Sequence, residues 1–177
     1  DQIKAGTFTM PAKNVTLTAQ WEKSDFTVKY QYTGSVPENA PAAPVDTTHT
    51  YDTTVTVVEK PTLTGYTFNG WTTGDVTVST DGTFTMPAKD VTLYGSWEKK
   101  TVGYTVEYYY GGNLNSSKTE TGTAEFGNVI NKYTEKPETG YKLDHTDNLP
   151  LTIGEDANAN VIKVYYVKDN AQQHRVS

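Results

Sequence analysis

The only imidazoles in the 177-residue sequence are His49, His145 and His174. Nucleophilic catalysis needs a base within hydrogen-bond reach of the nucleophile, and none of the three lies in a Gly-x-Ser-x-Gly or comparable frame. The sequence places His49 in a Thr-rich loop, His145 in a turn and His174 in the C-terminal tail. We therefore expect solvated loop histidines and a protein that is not an enzyme.

Oxygen ligands are concentrated in Asp144-His145-Thr146-Asp147-Asn148 and in Glu155-Asp156. Such residues could surround Ca²⁺, but the spacing is not that of an EF-hand loop. Asp and Asn also bond the local backbone in turns, so we predict a turn with no metal and no cofactor. The absence of cysteine excludes disulfides, thiolate metal sites and cysteine nucleophiles.

A lysine crosslink is a third chemistry to consider. An isopeptide bond needs an inward-facing lysine beside Asn or Asp and a catalytic acid. Lys29 and Lys163 both alternate with apolar residues that form the better inward set, so the sequence predicts no crosslink.

Tyrosines are the best candidates for a ligand surface, namely Tyr94, Tyr109 and Tyr165. By alternation, Tyr109 points away from the core-facing Tyr108 and Tyr110, and exposed tyrosines suit contact with sugars or proteins. The alternative is that they cover a thin sheet or an inter-module joint. The tryptophans are expected to pack in a core or a joint (Trp21, Trp71 and Trp97).

The elements that must position these residues show a period of two. Alternation of apolar and polar residues is typical of strands with one buried face, and no window has a helical period. Three prolines in 35–48 indicate a loop. Strands are predicted at 26–32, 51–57, 66–68, 83–86 and 91–98, in a five-stranded, mostly antiparallel sheet. Turn signals lie between them at 33–34, 64–65, 69–70, 81–82 and 86–90.

A repeat organises the chain. Residues 7–23 (TFTMPAKNVTLTAQWEK) and 83–99 (TFTMPAKDVTLYGSWEK) share 13 of 17 positions. A diverged third copy follows, in which YTVEYYYGG (104–112) resembles FTVKYQYTG (26–34). We therefore predict the C-terminal part of a truncated repeat at 1–23, a complete repeat at 24–100, a diverged repeat at 101–169 and a linker or tail at 170–177. In 7–23 we expect a strand, a turn and a closing strand, with Leu17 and Trp21 inward.

The negative net charge argues against nucleic acid as a partner. The net charge is −6 and the pI is about 5.0, whereas nucleic-acid binding needs a basic surface. No apolar run approaches 18 residues, so we expect no membrane insertion.

The motifs GYTFNGW (65–71), MPAKDVTLYGSW (86–97) and MPAKNVTLTAQW (10–21) resemble the Listeria–Bacteroides repeat, also called the internalin-type B repeat, across residues 1–100. In 101–169, YTVEYYYGG, EKPETGYKL and VIKVYYVKD are similar to the mucin-binding-protein (MucBP) repeat. The resemblance implies a mostly β fold of small tandem β-grasp-like modules, with mixed or antiparallel sheet. Related repeats often carry a longer, sometimes helical, segment before the last strand. Here 72–84 reads as a hairpin, so we expect little or no helix.

The resemblance also implies a function. We expect a non-enzymatic stalk or spacer in a cell-wall-anchored or secreted surface protein of a Gram-positive bacterium, beginning partway through a module. Its partners would be neighbouring repeats and host glycans, mucin or extracellular matrix protein. Two alternatives stay open: a dedicated carbohydrate- or mucin-binding module, and ancillary repeats of a secreted enzyme.

Overall fold

The structure, a computed structural model, describes residues 6–170. Within that range the regular elements are strands, apart from one 3-10 turn at Ser116–Lys118. This confirms the predicted mostly β fold with little helix. The strands are β1 Asp25–Thr33, β2 Thr47–Thr50, β3 Thr54–Thr56, β4 Tyr66–Thr72, β5 Thr83–Thr85, β6 Val91–Lys99, β7 Thr101–Tyr110, β8 Asn113–Leu114, β9 Glu120–Glu125, β10 Val129–Ile130, β11 Tyr141–Asp147, β12 Leu151–Thr152 and β13 Val161–Lys168.

The first unit, β1 to β6, is built on a mixed sheet of order β2-β1-β6-β4. The central strands β1 and β6 are parallel, with Val28 opposite Val91 and Tyr30 opposite Leu93, and both edge strands are antiparallel. The prediction of one five-stranded sheet is therefore wrong, whereas the prediction of mostly antiparallel pairing is correct. Strands β3 and β5 leave this sheet and form an antiparallel pair of their own.

The second unit, β7 to β13, repeats this topology. Its sheet runs β9-β7-β13-β11, again with a parallel central pair between antiparallel edges. Strands β10 and β12 form the separate antiparallel pair, and β8 is an addition that pairs with the end of β7. Two tandem units of mixed sheet were predicted and are observed, whereas the division into modules at 24–100 and 101–169 stays a prediction.

Each unit has its own hydrophobic core, and the two cores share no residue. The first core is Val28, Tyr30, Val55, Phe84, Met86, Val91 and Leu93. The second is Val102, Val106, Tyr108, Tyr110, Leu151, Ile153, Ile162, Val164 and Tyr166. In both, the inward residues alternate along the strands as the period of two predicts.

Extended segments, held by tyrosine hydroxyls, pack on the sheet of each unit. Tyr108 Oη donates to the Thr134 carbonyl at 2.6 Å, and Tyr110 Oη to the Lys136 carbonyl at 2.5 Å. In the first unit, the Val58 N–H donates to Tyr30 Oη at 3.2 Å. A buried tyrosine ring with a satisfied hydroxyl can thus anchor irregular backbone.

Several predicted element boundaries are wrong in the first unit. A strand at 51–57 is not formed, because the chain turns at Asp52 with φ +64° and only 54–56 are paired. Strand β2 instead takes residues 47–50, part of which we had assigned to a loop. The expected turn at 69–70 is a bulge inside β4, where Gly70 has φ +97° and the register shifts.

The N-terminal copy of the repeated motif contradicts its predicted conformation. Residues 7–23 form no strand, and Trp21 is 91% exposed whereas its counterpart Trp97 is 8% exposed. The C-terminal copy is placed by β1 and β4, which flank β6 and precede it in the chain. Leu17 of the N-terminal copy is 66% exposed as well. The expectation that Leu17 and Trp21 face inward is therefore wrong.

Candidate functional site

A row of aromatic side chains crosses the outer face of the second sheet. The register sets Tyr165 of β13 opposite Tyr109 of β7, and His145 of β11 opposite Tyr165. The neighbours of these tyrosines along the strands, Tyr108 and Tyr166, are buried on the other face. We call Tyr109, Tyr165 and His145 the aromatic ladder.

The ladder is stacked face to face. The ring centroids of Tyr109 and Tyr165 are 4.9 Å apart at an interplanar angle of 21°. Those of Tyr165 and His145 are 4.5 Å apart at 14°. Stacked cross-strand rings stabilise the sheet; Tyr109 and Tyr165 are partly exposed and His145 is exposed.

Carboxylates flank the ladder at both ends. Tyr109 Oη donates to Glu107 Oε2 at 2.7 Å, and this bond, helped by desolvation, raises the pKa of Tyr109 to about 12. Asp144 Oδ2 lies 2.7 Å from His145 Nδ1, and Asp147 Oδ1 lies 3.9 Å from its Nε2. The rim therefore offers hydrogen-bond acceptors, which suits a neutral, hydroxyl-rich ligand better than an anion.

The structure brings Tyr109 and Tyr165 together but not the third predicted residue, Tyr94. Tyr94 is 43% exposed in β6 of the first unit, opposite Gln31 and Thr72. A ligand role for these three tyrosines stays a prediction.

The histidine environments differ from those we expected. His145 lies in strand β11 rather than in a turn, and His49 lies in strand β2 rather than in a loop. His49 Nε2 is 2.9 Å from Thr47 Oγ1. His174 falls outside the described residues. Sequence reasoning missed these strands because polar residues fill both faces of β2 and most of β11.

Residues 6–170 hold no assembled metal site, and neither lysine considered for a crosslink is buried. No group of three or more His, Asp or Glu side chains there could hold a metal ion. Lys29 Nζ lies 3.3 Å from Asp90 Oδ2 in an exposed ion pair on the sheet's outer face. Lys163 has buried strand neighbours on both sides but is itself only partly covered.

A second feature of functional interest is the joint between the two units, defined by Gly65, Tyr66, Lys100, Phe126 and Glu155. Lys100 alone separates β6 from β7. Its N–H donates to the Gly65 carbonyl and its carbonyl accepts from the Phe126 N–H, both at 2.9 Å. The Tyr66 and Phe126 rings meet edge to face at 6.4 Å.

The Glu155 carboxylate of the second unit accepts hydrogen bonds from the first unit and from the connecting residue Lys100. Glu155 Oε1 accepts from the Gly65 N–H at 2.8 Å and from Lys100 Nζ at 2.7 Å. The Lys100 bond first, and then the Gly65 bond, lower the pKa of Glu155. Sequence analysis did not find this joint. Phe126 stands alone in a polar stretch of sequence, so no local pattern pointed to it.

The duplicated motif agrees with the comparison to known families. Residues 23–95 match the Listeria-Bacteroides repeat domain. The predicted resemblance is thereby confirmed for this segment. Residues 2–25 match the divergent InlB B-repeat domain, which adds a second repeat upstream of the Listeria-Bacteroides repeat.

Two further similarities extend beyond the Listeria-Bacteroides repeat. A protein of Evansella cellulosilytica, named a Gly-rich membrane protein, is 35% identical over 124 residues, covering 66% of this chain. The chain spans 14% of that relative's length. The solved structure of streptococcal high identity repeats in tandem, domains 3–4 of a cell surface protein, aligns with a TM-score of 0.34 at 14% identity over 81% of this chain and 98% of that one.

Across residues 6–170, no helix has the length and apolar character needed to cross a bilayer.

Proposed function

We propose that the chain is a non-catalytic spacer segment of a bacterial surface protein, extracellular and either wall-anchored or secreted. The observation that carries this proposal is the joint, where two units of equal topology are joined through one residue and bonded side to side by Glu155. A spacer must keep distance, and short connections with direct contacts between units limit bending. In such arrays, stability adds by unit and by neighbour interface.

The surface location rests on the repeat families and on the Evansella relative. Both matched families are repeat domains, and the relative's name describes a membrane protein. The absence of cysteine is compatible with a bacterial exported protein.

Small-angle X-ray scattering of the full chain tests the spacer role. At low protein concentration, where the chain is monomeric, we expect one narrow distribution of interatomic distances. A matched variant carries a Gly-Ser linker between Lys100 and Thr101, which should broaden the distribution because flexible linkers behave as random coils. Equal scattering from both proteins would show that the joint does not restrain the units, and the spacer proposal would fail.

A second candidate function is glycan or mucin binding by the second unit, which would be a MucBP-type repeat over residues 101–169. The aromatic ladder favours it, because two partly exposed tyrosine rings, an exposed histidine and acceptor carboxylates lie together on one face of the sheet. Host matrix protein is the other partner class that an exposed tyrosine surface suits.

A glycan array that includes mucin-type O-glycans, probed with the full chain, tests this candidate. Tyr109→Ala should abolish the signal, and Tyr94→Ala on the first unit is the matched control that should retain it. Equal binding by both variants, or no binding by the unaltered chain, would reject the ladder as a glycan site.

A further inference from the structure

Each half of the joint between the units has a structural counterpart elsewhere in the described residues. In the first unit, Lys100 N–H donates to the Gly65 carbonyl at 2.9 Å; in the second, Asp169 N–H donates to the Gly140 carbonyl at 2.8 Å. Both glycines have positive φ, +78° at Gly65 and +83° at Gly140, and a tyrosine that begins the next strand follows each. Gly140 is thus the structural equivalent of Gly65.

The two glycines differ in what covers them. A Cβ built on Gly65 would overlap the Phe126 ring, whereas one built on Gly140 meets nothing within 4 Å. The Gly140 turn has the shape that receives a ring in the first unit, and among the described residues none occupies it.

Phe126, which supplies the ring of the joint, also has a counterpart, and this is Tyr51 in the first unit. The Phe126 N–H donates to the Lys100 carbonyl at 2.9 Å, and the Tyr51 N–H donates to the Ser24 carbonyl at 2.8 Å. The next residue has positive φ in both cases, +64° at Asp52 and +78° at Gly127.

Asp52 and Gly127, which follow Tyr51 and Phe126, also make equivalent backbone hydrogen bonds. The Asp52 N–H reaches the Met86 carbonyl at 2.9 Å, and the Gly127 N–H reaches the Ile153 carbonyl at 2.8 Å. Tyr51 is 43% exposed although it holds the place of a joint ring.

The residues at the positions of Glu155 and Lys100 indicate which kind of repeat end can dock on the Gly140 turn. Counting two residues on from Met86 and Ile153 places Ala88 where the second unit has Glu155. Asp169 in turn stands where the first unit has Lys100. In the existing joint Glu155 bonds the Lys100 ammonium group; an aspartate at this place offers no ammonium group, so an end with Ala88 matches it better than an end with a Glu155-like carboxylate.

We infer that Tyr51 and the Gly140-Tyr141 turn are the two halves of a further head-to-tail joint, made with another repeat. The repeat that docks on Gly140 has an end like that of the first unit, with an aromatic ring at the Tyr51 position and no carboxylate at the Ala88 position. This inference rests on the proposed spacer function and names the partner that continues it. Such contacts are heterologous and extend a chain of units rather than closing it.

NMR of an extended chain tests the inference. A second copy of residues 25–99 is inserted between Asp169 and Asn170, so that Asp169 takes the place of Ser24 and the whole original chain is retained. Gly65 is the internal reference, because its Hα protons lie against the Phe126 ring. We expect the Gly140 Hα resonances to move upfield towards the Gly65 positions.

Substitutions of Tyr51 provide matched controls within that extended chain. Tyr51→Ser in the inserted copy should cancel the Gly140 shift and Tyr51→Phe should keep it, since Phe126 performs this role in the existing joint. Tyr51→Ser in the N-terminal copy should leave Gly140 unchanged. Unshifted Gly140 resonances beside a folded inserted copy would overturn the inference.

If the inserted copy does not fold, the unaltered chain at rising concentration supplies the partner in trans. Joint movement of the Gly140 and Tyr51 signals with concentration supports docking, and its absence rejects it. Neither result depends on the scattering test of the spacer, because the existing joint at Lys100 can restrain the two present units even if Gly140 receives nothing.

Discussion

The ring of Phe126 lies against the Cα of Gly65, in the space that any side chain at Gly65 would occupy. This close approach joins the two units directly rather than through a linker. Glycine is required at this position for two reasons, the positive φ of the turn and the missing side chain.

The substitutions Gly65→Ala and Gly140→Ala separate the effect of the positive φ from the effect of the Phe126 ring. Both glycines have positive φ, so each substitution strains the backbone by about 1 kcal/mol. Only in Gly65→Ala does the added methyl group also meet the Phe126 ring. We expect Gly65→Ala to displace Phe126 and remove the contact between the Tyr66 and Phe126 rings, as nuclear Overhauser effects would report. An unchanged Tyr66–Phe126 contact in Gly65→Ala would contradict the tight joint; Gly140→Ala is the control that should keep it.

Acid should loosen the joint through Glu155. The folded protein lowers the pKa of Glu155 below its ordinary 4.5, because its ionised form is bonded by Lys100 and the Gly65 N–H. A lowered folded-state pKa gives a contribution that is present above pH 4.5 and is lost as the pH falls through the lowered value. Amide exchange at Gly65, corrected for the intrinsic pH dependence, should accelerate in that window.

Glu155→Gln is the control for this acid effect. The amide oxygen still accepts hydrogen bonds but carries no charge, so the joint should be weaker at neutral pH and should show no further acid step. An acid step of equal size in Glu155→Gln would assign the effect to another carboxylate.

The duplicated tryptophans should differ sharply in their contribution to stability. Trp97 is packed edge to face against Phe68 and Tyr32, so Trp97→Ala should cost about 3–5 kcal/mol of unfolding free energy. Trp21 occupies the same place in the motif but is exposed, and Trp21→Ala should stay within about 0.5 kcal/mol. Urea denaturation of both variants checks this, and a loss above about 2 kcal/mol for Trp21→Ala would mean that residues 7–23 are packed after all.

Glu107 should control the ionisation of Tyr109 in the ladder. The hydrogen bond to the Glu107 carboxylate is the main reason that the pKa of Tyr109 is raised to about 12. Glu107→Gln should lower that pKa towards 10.0, the ordinary tyrosine value. Carbon-13 NMR of the Tyr109 ring during alkaline titration measures it, and an unchanged pKa would show that desolvation rather than the bond sets the value.

The sequence predicted the strands that bury one complete face. In β1, β6, β7 and β13 the apolar residues alternate, and the outward placement of Lys29, Tyr109 and Lys163 between buried neighbours was correct. Strand pairing was not predictable from alternation, because a parallel and an antiparallel β1–β6 pair bury the same residues. The separate β3–β5 and β10–β12 pairs were missed for the same reason.

The aromatic ladder was half predictable. Alternation placed Tyr109 outward, but its neighbour across the sheet depends on register, which no local pattern shows. His145 joined the ladder because β11 continues through a polar segment that reads as a turn. The joint was not predictable, since Phe126 and Glu155 are isolated residues whose meeting with Gly65 depends on the folded position of both units.

Residual dipolar couplings of the full chain in a dilute aligning medium test the central claim most directly. If the joint fixes the two units as a rigid spacer, couplings from residues 25–99 and from 101–168 will fit one common alignment tensor. Phe126→Ser should separate them into two tensors, because it removes the ring that contacts Gly65 and Tyr66. Two different tensors in the unaltered chain would show that the units move independently and would contradict the account.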